Sequence, residues 1–488
     1  MSQKSIKKNT IYNAIKTISA IIFPLITFPY ASRVLLPDNM GKINFGMSII
    51  SYFSLIASLG ITTYAIRECS AVRDDKEKLG QTASQIFSIN VVTTAVAYIA
   101  LALTLIFYRK LDNYRVLIVV LSITIVSATL GADWLNSAME DFEFITIRTV
   151  GFQVLSLVLM FVFVHKPEDY MKYAIISVIA AAGASISNIW YRRRYCKVVF
   201  IRDLFHSIEW KRHMTPIIYL FVMILAQTIF SSVDSTMLGL MHGDYEVGIY
   251  GTAHKILNIV NQLISSLLWV IMPRMSYYFA EGDYENINRL LRQVLQFNIT
   301  LGLPSLVGMT VLAKDIIGVV AGAEYAEAAP VLQILMISFA FSLVGGSFLG
   351  NAVLLPSKQE KYYMIVCCIA AVVNIITNYI TIPYWGPKAA AGTTALCALV
   401  IMVLLMLKVD KRIHIDRTLS LVAAPVIGCA LIVAVCLLCR GLENLFVRTF
   451  VSVGVSVVVY FIVQIVLRNE LVMSLLEGLK NRLVKRGN

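Results

Sequence analysis

Charge is scarce in this chain. Only 15% of its 488 residues are Asp, Glu, Lys or Arg, against 58% apolar residues, and mean hydropathy is +0.75. Soluble domains carry about 25% charged residues, so a water-facing globule is excluded. Histidine (6) and cysteine (8) are also few. Cys367, Cys368, Cys397, Cys429, Cys436 and Cys439 fall in apolar stretches, and Cys69 and Cys196 in connections, which suits apolar filler better than an oxidised framework. Cys436 and Cys439 have metal or redox spacing but no second pair nearby, so neither a metal nor a cofactor is expected. No G-x-x-x-x-G-K-[ST] string occurs, and little length is left for a soluble nucleotide-hydrolysing module. The period-two alternation of a membrane barrel is missing too. In its place stand unbroken apolar runs such as 91–107 and 451–467.

At about 20 residues per bilayer-crossing helix, the hydropathy pattern predicts an all-α polytopic membrane protein. Its spans are expected near 10–32, 43–66, 83–107, 116–135, 146–164, 173–191, 216–240, 248–272, 294–313, 330–350, 362–382, 389–407, 418–439 and 449–467, fourteen in all. The first follows Lys4, Lys7 and Lys8 but runs past 20 residues, contains Pro24 and Pro29, and ends at Arg33 without a small-residue cleavage site. It is read as a retained, bent helix rather than a secretory leader. With the amino terminus inside, inner segments, with Arg148 at the inner start of its span, hold 29 Lys and Arg and outer ones 11. This bias predicts both termini in the cytoplasm. The net charge of +13 is then a topology signal with membrane lipids as its partner, not nucleic acid.

The longest inner connection carries Arg192, Arg193, Arg194, Lys197, Arg202, Lys211 and Arg212, and divides the spans into six and eight. The expected organisation is a first lobe at 1–191, a basic cytoplasmic linker at 192–215, a second lobe at 216–407, and two further helices with a basic tail at 408–488. Leu471, Leu475, Leu479 and Leu483, followed by Lys485 and Arg486, have the spacing of a helix lying on the inner surface.

An internal repeat shows at an offset of 207 residues: Gly41 opens the second span and Arg67 closes it, while Gly248 opens the eighth and Arg274 closes it. At that offset Ser48, Ser51, Leu55, Ser58 and Thr62 fall on Lys255, Asn258, Gln262, Ser265 and Trp269, mostly polar on polar. The pattern predicts two pseudo-symmetric six-helix lobes, and repeats of this kind in transporters set the substrate path at their interface. Further polar stripes run through Asn9, Asn13, Lys16 and Thr27, and through Gln227, Ser231 and Asp234. Such faces line a cavity or a helix contact, because hydrocarbon satisfies no polar group. Helix packing explains Ser and Thr equally well, but explains Lys16, Asp234 and Lys255 less easily. Asp234 lies about six residues from the outer end of its span and Lys255 about seven from its own, level by helical rise. That predicts an ion-coupling or structural pair. Lys16, Arg67, Arg148 and Arg274 fall near the inner ends. They predict a cationic vestibule for the phosphate of a lipid-linked substrate, with plain positive-inside anchoring as the alternative for Arg148.

These residues carry a family resemblance. Ser32-Arg33-Val34-Leu35-Leu36-Pro37 with Gly41-Lys42-Ile43-Asn44-Phe45, then Tyr64-Ala65-Ile66-Arg67-Glu68, resembles the opening of the Wzx-type oligosaccharide repeat-unit flippases. Asp133-Trp134, Val233-Asp234-Ser235-Thr236, Val247-Gly248-Ile249-Tyr250, Pro273-Arg274, Asn374, Asn378 and Gly392 extend it to about residue 407. Leu36 departs from the pattern, which usually has Gly before the turn. That family lies within the multidrug/oligosaccharidyl-lipid/polysaccharide exporter superfamily. The resemblance implies a MATE-like fold of two six-helix lobes plus two C-terminal helices, working by alternating access. It also implies export of undecaprenyl-diphosphate-linked oligosaccharide across a bacterial cell membrane for O-antigen, capsule or exopolysaccharide, with polysaccharide assembly proteins as partners and no covalent step. It supports Arg33, Arg67 and Arg274 as motif arginines and Asp234 as the acidic group. With Lys16 and Lys255 these form the substrate-binding and coupling candidates.

Two other functions compete. A cation-coupled drug or metabolite antiporter of the same superfamily would favour acidic cavity residues, whereas these candidates are mainly basic. A membrane polysaccharide polymerase or ligase would need a sizeable outer loop for acid and base work. The longest outer connection is 314–329, whose Asp315, Glu324 and Glu327 read as solvated surface.

Overall fold

The structure is a computed structural model describing residues 6–201, 203, 208–414, 418–474, 476 and 477. Arg202 of the linker, Lys4 and most of the expected tail helix (Leu475, Leu479, Leu483, Lys485 and Arg486) lie outside the described residues, as does the side chain of Trp269. Fifteen α-helices follow one another among the described residues. They are α1 (Ile6–Ser58), α2 (Ile61–Ala71), α3 (Lys76–Phe107), α4 (Arg115–Gly131), α5 (Trp134–Ala138), α6 (Phe142–Phe163), α7 (Tyr170–Tyr191) and α8 (Trp210–Met241). Then come α9 (Asp244–Glu281), α10 (Tyr284–Val311), α11 (Ala313–Val320), α12 (Ala328–Ser342), α13 (Glu360–Met406), α14 (Thr418–Leu438) and α15 (Leu445–Val466). A π-helical stretch, Leu343–Leu354, extends α12.

Among the described residues, eleven helical segments are long and apolar enough to cross a membrane. One of them, Ile11–Ala71, has 61 residues, and α13 has 47. Straight helices of those lengths would reach about 90 and 70 Å, far beyond a hydrocarbon core of about 30 Å. Each is therefore two crossings joined at a break. In α1 the break is Leu36, at φ 64° and ψ 169°, directly before Pro37. In α13 it is Gly386, at φ 51° and ψ −128°, between Pro383 and Pro387. Counting these two segments twice gives thirteen crossings, and the 38-residue α9, long enough to cross, is the fourteenth expected from the sequence. The second span ends earlier than expected, at Ser58. Leu59 and Gly60 have positive φ, so Arg67 sits on the separate short helix α2.

The helices form two compact units, residues 1–248 and 249–488. The seventh span, α8, was expected to open the second lobe but packs within the first unit, against α1 and α2. Aspartates at the helix starts stop the chain cleanly. The Asp75 carboxylate accepts from the backbone N–H of Glu77 and Lys78, both at 3.1 Å, ahead of α3, and Asp283 accepts from that of Asn286 at 3.1 Å ahead of α10. The linker is tied to α3. Its backbone N–H groups at Val199 and Ile201 donate to the hydroxyls of Ser84 and Ser88 on α3, at 3.1 and 2.9 Å.

In the second unit, α14 and α15 are fastened by a polar seam. The Tyr460 hydroxyl donates to the Thr300 carbonyl at 2.6 Å, and the Gln464 amide donates to the Ala424 carbonyl at 3.0 Å. At the other end Arg448 forks onto Asp315 at 2.7 and 3.1 Å. Asp315 is thus not solvated surface as expected. It ties α11 to α15, because the short helix α11 folds it toward Arg448.

The repeat-related glycines meet. Within the first unit, a Cβ on Gly41 would overlap the Asp244 carbonyl oxygen, and a Cβ on Gly248 would overlap the Pro37 carbonyl oxygen. The backbone just past the Leu36 break and the start of α9 are in direct contact, which no residue but glycine permits. Gly41→Ala or Gly248→Ala is expected to destabilise the detergent-solubilised protein by about 1–3 kcal/mol, seen as a lowered thermal unfolding midpoint. Gly151→Ala, within α6 and with nothing within 4 Å of the added Cβ, should not lower it. Leu36→Gly should raise the midpoint, since φ 64° strains a branched side chain.

Candidate functional site

The polar stripe on the second half of α1 is occupied by a helix contact. Thr236 of α8 donates to the Ser48 hydroxyl at 2.9 Å, Ser51 donates to Ser232 at 2.9 Å, and the Tyr52 hydroxyl lies 3.1 Å from that of Thr236. This hydroxyl ladder fastens α1 to α8. Asp234 is buried at 2% exposure beside it and interacts electrostatically with Tyr52. Other hydroxyls are satisfied by their own helix: Thr27 donates to the Phe23 carbonyl at 3.0 Å and Ser32 to that of Phe28 at 2.8 Å. These groups need no cavity.

At one end of the first unit, basic residues divide into buried and accessible ones. Arg148 is buried and forks onto Asp133 at 3.0 and 2.9 Å, with its guanidinium 5.4 Å from the centre of the Phe144 ring. Arg192 is buried over Phe87, 4.8 Å from the ring centre. Arg67 is different. Its side chain is 65% exposed, rests 5.5 Å from the Tyr64 ring centre and pairs with the neighbouring Glu68 at 3.2 Å. Behind it, the Tyr64 hydroxyl is 2.8 Å from His213 Nδ1, and His213 Nε2 is 2.6 Å from Gln85 Oε1. That chain locks α2, α3 and α8 together. Lys16 is half-buried on α1, about two turns beyond Lys8. Lys8 and Tyr12 both reach Glu143 of α6, at 2.9 and 3.0 Å.

In the second unit the polar face of α9 meets α13. The Tyr250 hydroxyl is 3.4 Å from that of Thr394, the His254 ring stacks on Tyr250 with centres 5.5 Å apart, and Asn258 is 3.3 Å from His254 Nδ1. Lys255, half-buried, adjoins this row. Below it the Asn378 amide donates to Asn374 at 3.1 Å, and the Thr393 hydroxyl donates to Asn378. Arg274 is exposed further along α9, after Pro273.

A model of the family described as polysaccharide biosynthesis protein matches residues 6–279, more than half of the chain. The chain belongs to the polysaccharide biosynthesis protein family. A second model, MatE, matches residues 220–380. The chain is similar to the "Putative O-antigen transporter" of Escherichia coli K12, 22% identical over 76% of this chain and 89% of that protein. It is similar to the "Capsular polysaccharide biosynthesis protein CapF" of Staphylococcus aureus, 21% identical over 81% of this chain and 97% of that one. Its fold is that of a solved structure of "Lipid II flippase MurJ, inward closed conformation", with TM-score 0.75 at 15% identity over 95% of this chain and 100% of that chain. The all-helical, MATE-like membrane fold expected from the sequence is therefore the fold of this polysaccharide biosynthesis protein.

Of the sequence candidates, Lys16, Arg33, Arg67 and Asp234 belong to the first unit and Lys255 and Arg274 to the second. Within the first, Lys16 and the exposed Arg33 share α1 but stand about 25 Å apart along it, so they do not form one site. The sequence reading missed the Asp133–Arg148 fork and the Tyr64–His213–Gln85 chain in this family member. Asp133 stands beside Trp134 in a quoted motif, which was the available signal. His213, one of only six histidines, sits at the start of α8 amid basic residues and gave none. Asp133→Ala leaves a buried guanidinium unpaired and should cost about 3–5 kcal/mol of stability. Replacing Arg148 by Met in the same chain should recover much of that loss, read by thermal unfolding of each variant.

Proposed function

We propose that this chain is a flippase that moves lipid-linked oligosaccharide repeat units across the membrane for polysaccharide biosynthesis. Family membership over residues 6–279 and the likeness to an O-antigen transporter support it. The observation that carries the mechanism is the division of the basic residues. Arg148 is paired with Asp133 and Arg192 is buried over Phe87, whereas Arg67 and Arg274, the repeat-related pair, are exposed. On this reading Arg67, Arg274 and Lys16 receive the diphosphate of an undecaprenyl-diphosphate-linked substrate at the cytoplasmic side, and guanidinium forks match its oxygens. The glycan passes between the lobes as they alternate in access. Arg33 and Lys255 meet the substrate further out, and Asp234 with Lys255 couples the change to an ion. Both termini are cytoplasmic, and the membrane is the bacterial plasma membrane. No bond of the substrate is broken.

The two accessible states must hold the phosphate differently, because a site of equal affinity in both shifts nothing. A Lys16→Ala, Arg67→Ala, Arg274→Ala variant in proteoliposomes should lose flipping of a fluorescent lipid-diphosphate oligosaccharide at least tenfold while unfolding at the parental temperature. Equal flipping by parent and variant would discard the phosphate site. An inactive parent that instead effluxes organic cations would favour the antiporter reading. Asp234→Asn with unchanged flipping would remove Asp234 from coupling.

A further inference from the structure

Three connections of the second unit converge on a cleft of about 370 Å³: the α9–α10 turn, the segment between the π-helical stretch and α13, and the segment that follows α13. In the span order of the sequence all three lie on the same, positively charged side. Neither Lys255 nor Arg274 lines the cleft. It is a place apart from the proposed transport residues.

Its wall chemistry is specific. Tyr284 and Phe279 supply aromatic surface. Arg412 lies over the Tyr284 ring, 4.1 Å from its centre, and grips Asp410 at 2.7 and 3.1 Å, while the Tyr284 hydroxyl donates to Asp410 at 3.1 Å. Arg412 holds the Asp410 carboxyl well below the usual carboxylate range, and the same contact neutralises its charge toward an incoming anion. Two groups are left for a ligand. Lys358, at the lip, is exposed, and its ammonium has no hydrogen bond or ion pair among the described residues. Gln359 Oε1 is buried with no hydrogen-bond partner among the described residues, although its Nε2 donates to the Ser357 hydroxyl at 3.2 Å. A buried amide oxygen without a donor costs about 1–3 kcal/mol, which a ligand hydroxyl would relieve. Lys358 is held at φ 60° by the helix-ending turn in which the Gln359 N–H donates to the Leu354 carbonyl at 3.0 Å, which fixes the Lys358 backbone at the lip.

We propose that this cleft binds a hydroxylated phosphate ligand, with Lys358 on the phosphate and the Gln359 carbonyl on a hydroxyl. The chemistry fits the headgroup of an anionic glycerophospholipid or a free polyol phosphate. The aromatic floor suits the carbon face of either one. The proposal requires binding alone, so it stands or falls apart from the transport reading.

The test uses the full chain in phosphatidylcholine nanodiscs, with the thermal unfolding midpoint as readout. Phosphatidylglycerol is titrated into the disc in one arm, and glycerol 1-phosphate is added to the solution in the other. A saturable rise in the midpoint is expected. Its half-point should move about tenfold higher in Lys358→Gly, the share of one charge-assisted contact, and return in Lys358→Arg. Glycine favours the φ 60° backbone, so a misfolded variant is not the explanation for lost binding. Gln359→Leu should remove the preference for glycerol phosphate over inorganic phosphate. A rise with the disc lipid alone assigns a lipid headgroup, and a rise with the soluble probe assigns a free phosphate. No rise in either arm, or the same half-point in the parent and in Lys358→Gly, overturns the proposal.

Discussion

Hydrocarbon offers a polar group no hydrogen bond, so every hydroxyl, amide and guanidinium inside a span has to be met by protein. This constraint decides what the polar stripes are for. A row such as Ser48 and Ser51 meets its need by facing Ser232 and Thr236 of α8, and the helices are held at that contact. Thr27 and Ser32 turn back on their own carbonyls. Gln464 and Tyr460 anchor the two extra helices to carbonyls of α14 and α10. Polarity in the spans is thus mostly adhesive. Only the groups that adhesion leaves accessible remain for a substrate.

That subtraction sharpens the functional reading. Counting basic residues by position groups Arg148 with Arg67, since both fall near the same end of their spans. Their surroundings separate them. Asp133 neutralises the buried guanidinium of Arg148 in a two-pronged fork. Arg67 lies on α2, whose buried face is Ile61, Tyr64, Ala65 and Cys69, and the helical period leaves its side chain on the opposite face.

The spans were legible because twenty apolar residues in a row have few alternatives, and the α13 break was legible because Pro383, Gly386 and Pro387 stand together. The glycine pair at 41 and 248 was also legible, through the 207-residue offset, although its meaning as a backbone contact was not. Other features left no local trace. Leu36 takes a conformation normal for glycine, and composition marks only the Pro37 beside it. Tyr64 and His213 are 149 residues apart, and Asp133 and Arg148 are separated by a turn rather than by a helical repeat. In the linker, the backbone bonds of Val199 and Ile201 depend on the Ser84 and Ser88 spacing on α3, which its seven basic residues do not reveal.

The Glu68 carboxylate beside Arg67 bears on how a cationic site can work at all. It contacts Arg67 at 3.2 Å and lies 3.9 Å from Arg212. An exposed pair of this kind contributes only about 0–1 kcal/mol. A diphosphate, with more charge and more acceptor oxygens, outcompetes such a carboxylate, while a weaker monoanion gains little by displacing it. On the flippase reading, Glu68 therefore acts as an internal competitor. It offers Arg67 a partner when no substrate phosphate is bound. On that reading the affinity that matters is the difference between the loaded and the self-paired states, and a self-paired state worth only about 0–1 kcal/mol lowers it slightly.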